Sequence, residues 1–276
     1  MFQVKVAFQG EIGAYSESAV YSYFNSSVQV KPCRNLTDVF ESVEKGETSY
    51  GVVPIENSIE GSVTQTYDLF FTHNLKVCGE TIIKIAHCLI TNPKTSLDSI
   101  EVVYSHPQAL AQCRSFLESL DCDLIPTYDT AGSVKMMKEK KLMDAGAVAS
   151  ERAAKIYGMK VLAKRIADNP NNYTRFFVIS KIDCSLSGKD KTSIIFSLKD
   201  RPGALYYALE EFAVRDINLT KIESRPTKQE PWEYNFYLDF EGHRTAERCQ
   251  EALKAIEKKS AFLKVLGSYP RAAKEF

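Results

Sequence analysis

The sequence has no long uncharged apolar run, which excludes a helical membrane span of about 20 residues. It has no excess of either charge. Lys+Arg and Asp+Glu both total 35, and a balanced chain offers no basic surface for nucleic acid. Its cysteines, at positions 33, 78, 88, 113, 122, 184 and 249, form no C-x-x-C pair, and their number is odd. Free thiols in a reducing, cytoplasmic setting are the expectation. The histidines at 73, 87, 106 and 243 show no metal-ligand spacing, so no metal is expected. In the segment directly after the first strand candidate the only glycines are Gly10 and Gly13, so no G-x-G-x-x-G follows it. Neither a G-x-x-x-x-G-K-[ST] loop nor a G-x-S-x-G elbow occurs, and no cofactor is expected. The opening residues lack the charged lead and apolar core of a secretion signal. There is no tandem repeat and no low-complexity segment.

What is present is an ordinary globular composition, 44% hydrophobic and 25% charged, in 276 residues, a length that accommodates two domains. Strand patterns at 4–8, 50–53, 77–89, 102–104, 122–125 and 145–149 alternate with helical patterns at 14–24, 36–44, 62–71, 107–120 and 131–140. The strand at 50–53 is expected to stop at Pro54. Asn35 is a cap candidate for the helix at 36–44, and Pro107 suits a first helical turn. Such alternation implies an α/β fold with largely parallel sheets. Residues 183–191 are polar and turn-rich, as a linker would be. Beyond them, strand 192–198, helix 202–214, strands 219–223 and 234–240, helix 245–256 and strand 262–268 give the β-α-β-β-α-β order of a ferredoxin-like domain.

Ligands of open α/β sheets collect where strands end and helices begin, because helix N-termini present free N–H groups to anions. Small polar residues mark these junctions: Gly10 to Ser16, Pro54 to Ser62, Ser105 to Ala109, and Asp129 to Ser133. A further cluster, Asn171-Asn172-Tyr173-Thr174-Arg175-Phe176, precedes a strand, and Arg175 supplies a fixed positive charge. Each junction read alone is a cap or turn. Together they suit a small, highly oxygenated anion.

Thr174-Arg175-Phe176 resembles the TRF motif of prephenate dehydratases, with Tyr157, Met159, Leu162 and Asp168 at the spaced positions expected upstream. Glu223-Ser224-Arg225-Pro226 resembles the family's ESRP signature, and PIENS (54–58) and SHPQA (105–109) match two further segments. The resemblance runs over essentially the whole chain. It implies a two-lobed catalytic domain like the type 2 periplasmic binding proteins (1–182, with lobe one at 1–77 and 165–182 and lobe two at 78–164). It also implies a linker at 183–191 and an α+β, ferredoxin-like ACT domain at 192–276.

The implied reaction takes prephenate to phenylpyruvate, water and carbon dioxide, with feedback inhibition by L-phenylalanine. Thr174 is then the leading catalytic residue, hydrogen-bonding the departing hydroxyl. Arg175 either orients a carboxylate or braces its loop, and Phe176 packs or supports the ring pocket. Asn57, Ser58, Ser105, Gln108, Thr130 and Ala131 form the implied carboxylate-binding set. His106 is a general acid or a helix cap, and Glu56 an acid or a structural hydrogen-bonding group. In the ACT-like domain, Gly203-Ala204-Leu205 matches the family's GAL motif. With Asn218, Glu223, Ser224, Arg225 and Pro226, it forms the implied phenylalanine site. A homodimer or homotetramer through ACT pairing is implied. Arogenate dehydratase, the same chemistry on the transaminated substrate, is a rival reading for which the sequence offers no discriminator. A non-catalytic binding protein is disfavoured by the free cysteines and the lack of a signal segment. A fused chorismate mutase is disfavoured because the dehydratase-like part starts at the first residues.

Overall fold

The computed structural model describes residues 3–227 and 233–273. It divides into two compact units, one of residues 1–71 and 81–176, the other of residues 72–80 and 177–276.

The first unit begins with β1 (Lys5–Gln9), α1 (Tyr15–Phe24), β2 (Gln29–Cys33), α2 (Leu36–Glu44), β3 (Tyr50–Asn57), β4 (Gly61–Ser62) and α3 (Thr64–Thr72). It continues through β5 (Lys76–Lys84), β6 (His87–Thr91), β7 (Val102–Ser105), α4 (Pro107–Gln112), α5 (Arg114–Leu117) and β8 (Asp123–Pro126). Then come α6 (Thr130–Lys140), β9 (Ala145–Ser150), α7 (Glu151–Tyr157), β10 (Lys160–Lys164) and β11 (Tyr173–Ser180). The unit boundary falls inside β5 and β11.

Two sheets make two lobes. In the first, the order is β2-β1-β3-β11-β5, with β4 paired to β3. β1 lies parallel to both neighbours, and its Val6, Ala7 and Phe8 are completely buried, as a strand covered on both faces requires. In α2, Leu36, Val39, Phe40 and Val43 fall on one buried stripe. Asn35 caps the helix by accepting from the Asp38 N–H at 2.8 Å, worth about 1 kcal/mol. Phe40 meets Phe70 of α3 edge-on, with centroids 5.2 Å apart.

The second sheet runs β10-β6-β9-β7-β8. It is mixed, which departs from the largely parallel expectation: β7 is parallel to β8 and β9, while β6 is antiparallel to β9 and β10. The reason is connectivity. β6 enters this lobe straight from β5 after only Ile85 and Ala86, and β10 leaves it towards β11.

Local patterning misses three further features. β3 does not stop at Pro54 but runs to Asn57. The last β1 partner is Val52, so the missing proline N–H falls beyond that ladder, and Glu56 and Asn57 then pair with β4. The helix expected over 107–120 breaks at Cys113 into α4 and α5. Asp168 occupies the break: its N–H donates to the Gln112 carbonyl at 2.8 Å, and its carboxylate accepts from the Ser115 N–H at 3.2 Å. α7 and β10 were not anticipated.

The second unit holds β12 (Asp190–Leu198), α8 (Ala204–Ala213), β13 (Leu219–Pro226), β14 (Tyr234–Glu241), α9 (Glu247–Lys259) and β15 (Ser260–Pro270). Sheet order is β13-β14-β12-β15, antiparallel throughout. Ile194, Phe196, Leu238 and Phe240 of the sheet meet Ala208 and Phe212 of α8 and Ala252 and Ile256 of α9 in one core. β12 starts at Asp190, inside the polar segment read as linker. The Asp190 carboxylate accepts from the Ser187 and Gly188 N–H groups at 3.1 and 3.0 Å, which fixes the turn ahead of the strand. β13 reaches Pro226, so the Glu223-Ser224-Arg225-Pro226 run lies within an edge strand and not after it. No helix among the described residues is long and apolar enough to cross a membrane.

Candidate active site

A cavity of about 470 Å3 opens between the two lobes of the first unit. Its wall includes the first residues of three helices: Tyr15 and Ser16 of α1, Thr64 and Gln65 of α3, and Thr130 of α6. Helix N-termini carry unsatisfied N–H groups and the positive end of the dipole, so three of them around one cavity favour an anion. No lysine or arginine is among the lining residues, and Glu60 is their one carboxylate. The wall is otherwise hydroxyls, amides, two histidines and apolar side chains.

Thr174 and Phe176 of β11 both line the cavity, and Arg175 between them does not. Strand periodicity is the cause: successive side chains point to opposite faces. Arg175 instead lies 3.7 Å from Glu56 of β3 in a largely buried ion pair. This geometry matches bracing and places the fixed charge outside the cavity wall. The same pair accounts for Glu56 as a structural group.

Asn57 organises the floor. It is buried, and its Oδ1 accepts the Ile59 and Glu60 N–H groups, each at 3.0 Å, which closes the turn into β4. Its Nδ2 donates to Asn172 Oδ1 at 2.7 Å and to Thr174 Oγ1 at 3.0 Å. The Thr174 oxygen therefore acts as an acceptor towards Asn57, which leaves its own O–H hydrogen available as a donor on a residue that lines the cavity. Asn172 Nδ2 donates to Gln112 Oε1 at 2.8 Å, and His87 Nε2 stands 3.2 Å from the same oxygen. Tyr15 OH lies 3.4 Å from His87 Nδ1. Burial pushes the His87 imidazole below its ordinary pKa, against a smaller upward effect of the Gln112 bond.

The expected site residues separate accordingly. Asn57, Gln108, Thr130, Thr174 and Phe176 line the cavity. Ser58, Ser105, Ala131 and Arg175 do not. Ser58 clamps β11, accepting from the Tyr173 N–H at 2.9 Å and donating to the Asn171 carbonyl at 3.1 Å. Ser105 is fully buried and donates to the Val148 carbonyl at 2.6 Å, holding β7 to β9. Ala131 is fully buried under the first turn of α6. His106 caps α4, with Nδ1 accepting from the Gln108 N–H at 3.3 Å, and burial lowers its pKa. Tyr15, His87, Gln112 and Asn172 were not among the expected site residues. Gln112 sits one helical turn after Gln108, a spacing that puts both on one face. His87 begins a wholly buried strand and is followed there by apolar Cys88, Leu89 and Ile90, which is itself a signal that its ring has polar partners.

The lobes are clasped behind the cavity. Asp129 caps α6 through the Gly132 N–H at 2.8 Å and also accepts from the Glu11 N–H of lobe one at 3.1 Å. Burial raises its carboxyl pKa, and those N–H bonds partly counter it. Glu11 in turn receives Tyr128 OH at 2.8 Å and Lys135 at 3.0 Å. Buried Glu17 of α1 accepts from the Gly13 N–H at 2.8 Å and pairs with Arg152 of α7 at 3.0 Å.

In the second unit, a hollow of about 280 Å3 is lined by Lys199, Arg201, Ala204, Leu205, Tyr234 and Phe236, among others. Gly203 adopts a left-handed φ of +80° to start α8, and a Cβ there would stand 2.8 Å from the Tyr207 ring. Ser224 and Pro226 are the cross-strand partners of Phe236 and Tyr234, so they sit one strand away from that wall. Glu223 and Arg225 alternate onto the other face, where Glu223 meets Lys221 at 3.2 Å. Asn218 is exposed, and its carbonyl accepts from the Glu241 N–H at 2.9 Å.

Comparison with known proteins agrees with this architecture. The family model for prephenate dehydratase matches residues 6–183, and the ACT domain model matches residues 192–258. The bifunctional chorismate mutase/prephenate dehydratase of Aquifex aeolicus is 47% identical over 272 residues, covering 98% of this chain and 74% of that protein. The chloroplastic arogenate dehydratase/prephenate dehydratase 2 of Arabidopsis thaliana is 44% identical, covering 97% of this chain and 73% of that one. Among solved structures, the prephenate dehydratase of Arthrobacter aurescens in complex with L-Phe is 35% identical with a TM-score of 0.88, covering 97% of this chain and 90% of that one. Two α/β lobes around an amide- and hydroxyl-lined cavity, the TRF strand along its floor and a separate ferredoxin-like unit thus converge on one conclusion: the chain belongs to the prephenate dehydratase family.

Proposed function

We propose that this chain dehydrates and decarboxylates prephenate to phenylpyruvate, and that phenylalanine restrains it through the C-terminal unit. In the reaction, the bond between the ring and its carboxylate breaks and carbon dioxide leaves. The freed electron pair completes the aromatic ring as the ring C–O bond breaks, and the departing hydroxide takes a proton to become water. Aromatisation drives the change, so the protein has to hold the two carboxylates and meet charge on the leaving oxygen. Helix N-termini of α1, α3 and α6 and the Gln108 amide are suited to the carboxylates.

The observation that carries this reading is the Thr174 hydroxyl. It accepts from Asn57 and lines the cavity with its own hydrogen still available to donate to the oxygen that leaves. As a weak acid it stabilises that oxygen by hydrogen bonding more than by full proton transfer. Thr174→Ala should lower kcat by about 10²- to 10³-fold while prephenate still binds. Turnover undiminished in that variant would overturn the role.

Arogenate is the second reading. Glu60 is the one carboxylate on an otherwise uncharged wall, where the ammonium of that substrate would find a counter-charge. Side-by-side kcat/KM on the two substrates, repeated with Glu60→Gln, separates them: only arogenate turnover should fall in the variant. For regulation, the hollow beside α8 and its neighbouring Ser224 and Pro226 are where phenylalanine would act, across ACT units paired in a homodimer or homotetramer. An assay with no response to phenylalanine, and no binding by calorimetry, would defeat it. A cytoplasmic setting fits the seven free thiols.

A further inference from the structure

We infer that His87 is a positioning residue for the reaction: donating from Nε2 to Gln112, it steadies the far end of the amide relay that holds Asn57 against the Thr174 hydroxyl. This rests on the dehydratase reading above.

The relay has a single self-consistent set of donors and acceptors. Asn57 Oδ1 is taken by two backbone N–H groups, so its Nδ2 is the group that faces Thr174 Oγ1 at 3.0 Å, with the Tyr173 carbonyl farther off at 3.2 Å. Asn172 must then present Oδ1 to Asn57 at 2.7 Å and Nδ2 to Gln112 at 2.8 Å. Gln112 must present Oε1 to Asn172, and its Nε2 points to Glu60 at 3.4 Å. An amide can sit in two orientations that differ only by exchange of O and N. For Gln112 the Asn172 N–H fixes the orientation, and the same Oε1 stands 3.2 Å from His87 Nε2. The ring is 3% exposed, and burial favours its neutral form. A neutral ring carries one N–H. Gln112 Oε1 can only accept, so the hydrogen belongs on Nε2, and Nδ1 is left to accept from Tyr15 OH at 3.4 Å. Reversing the His87 tautomer would oppose two acceptors at Gln112. Gln112 would then hold Asn172 less firmly, and Asn172 is the buried acceptor that steadies Asn57 beside Thr174.

The position fits a supporting role and not contact chemistry. His87 begins β6, held there by antiparallel pairing with Ser150 of β9, while its carbonyl accepts from the Ile166 N–H at 3.0 Å. Gln112 is fixed by the Asp168 N–H on its carbonyl at 2.8 Å. Both ends of the His87–Gln112 contact are thus anchored by backbone.

The test compares His87→Gln with His87→Asn in the full chain. A glutamine amide reaches the place of Nε2 and can still donate to Gln112, whereas an asparagine amide reaches only the place of Nδ1. His87→Gln should keep kcat within about threefold of the parent, and His87→Asn should lose about 10- to 100-fold, with KM changed by less than about threefold in both. In a Thr174→Ala background the His87→Asn loss should shrink to within about twofold, because the hydroxyl it serves is gone. Equal kcat for the two variants, a loss confined to KM, or a His87→Asn loss of full size without Thr174 would overturn the inference. An unsubstituted protein that releases no phenylpyruvate from prephenate would overturn the dehydratase reading itself. Normal release with indifferent His87 variants would sink only the relay.

Discussion

Two hydroxyls, half-buried Thr174 in the first unit and buried Ser193 in the second, end differently. Thr174 accepts one hydrogen bond from a buried amide, and the residue lines the cavity with its own hydrogen still available to donate. Ser193 in the second unit lies in a sheet, donates to Asp239 at 2.5 Å and stands 2.6 Å from Tyr269 OH. With its single hydrogen committed to the carboxylate, Ser193 accepts from Tyr269, and both of its roles are filled by protein. A hydroxyl whose donor and acceptor capacity is consumed internally contributes to stability. One that keeps a donor facing a cavity is available for chemistry.

The contrast can be broken from either side. The largest effect should come from Thr174→Ala, with the fall in kcat given above and an unfolding midpoint close to the parent; a loss of stability with unchanged kcat would reverse the assignment. Ser193→Ala should do the opposite. It leaves Asp239 and Tyr269 short of a buried partner, at a cost of about 1–3 kcal/mol in urea denaturation, with kcat retained. Gly13→Ala probes the frame that holds the cavity. Gly13 has φ of +97°, and a Cβ would stand 2.9 Å from the Ala153 backbone, so a loss of about 1–3 kcal/mol is expected. That clasp joins the lobes, so KM should rise with it, whereas the Ser193 change should leave KM alone.

The smallest effect is in pH. His87 and His106 both have folded pKa values below the ordinary 6.5 because of burial. As pH falls below 6.5 the unfolded chain takes up protons first, so stability declines from there until the folded pKa values are passed. His87→Gln should flatten part of that decline in denaturation midpoints measured across the acid range. An unchanged slope would mean that the imidazole is not held neutral.

Much of this site is readable in sequence because its signals are local. The Asn35 cap, the Thr174–Phe176 strand and the β-α-β-β-α-β order each depend on neighbours within a few residues. The alternation of a strand already implies that Thr174 and Phe176 share a face and Arg175 does not. Ser58 and Ser105 illustrate the limit. Their residue type and junction position are those of ligand-binding hydroxyls, yet one clamps β11 and the other ties β7 to β9, because carbonyl and N–H partners more than 40 positions away consume them.

By itself the sequence determined most element types, the family and the strand that carries Thr174, since propensity, periodicity and short motifs act along the chain. Only the tertiary structure decided which polar residues face the cavity. Tyr15, His87, Gln112, Asn57 and Asn172 come from five separate elements or loops, and their donors and acceptors can be assigned only when all are placed together. Hydrogen-bond direction is a property of the closed network and not of any residue in it, which is why the histidine at its far end carried no mark in the sequence beyond being polar in a buried strand.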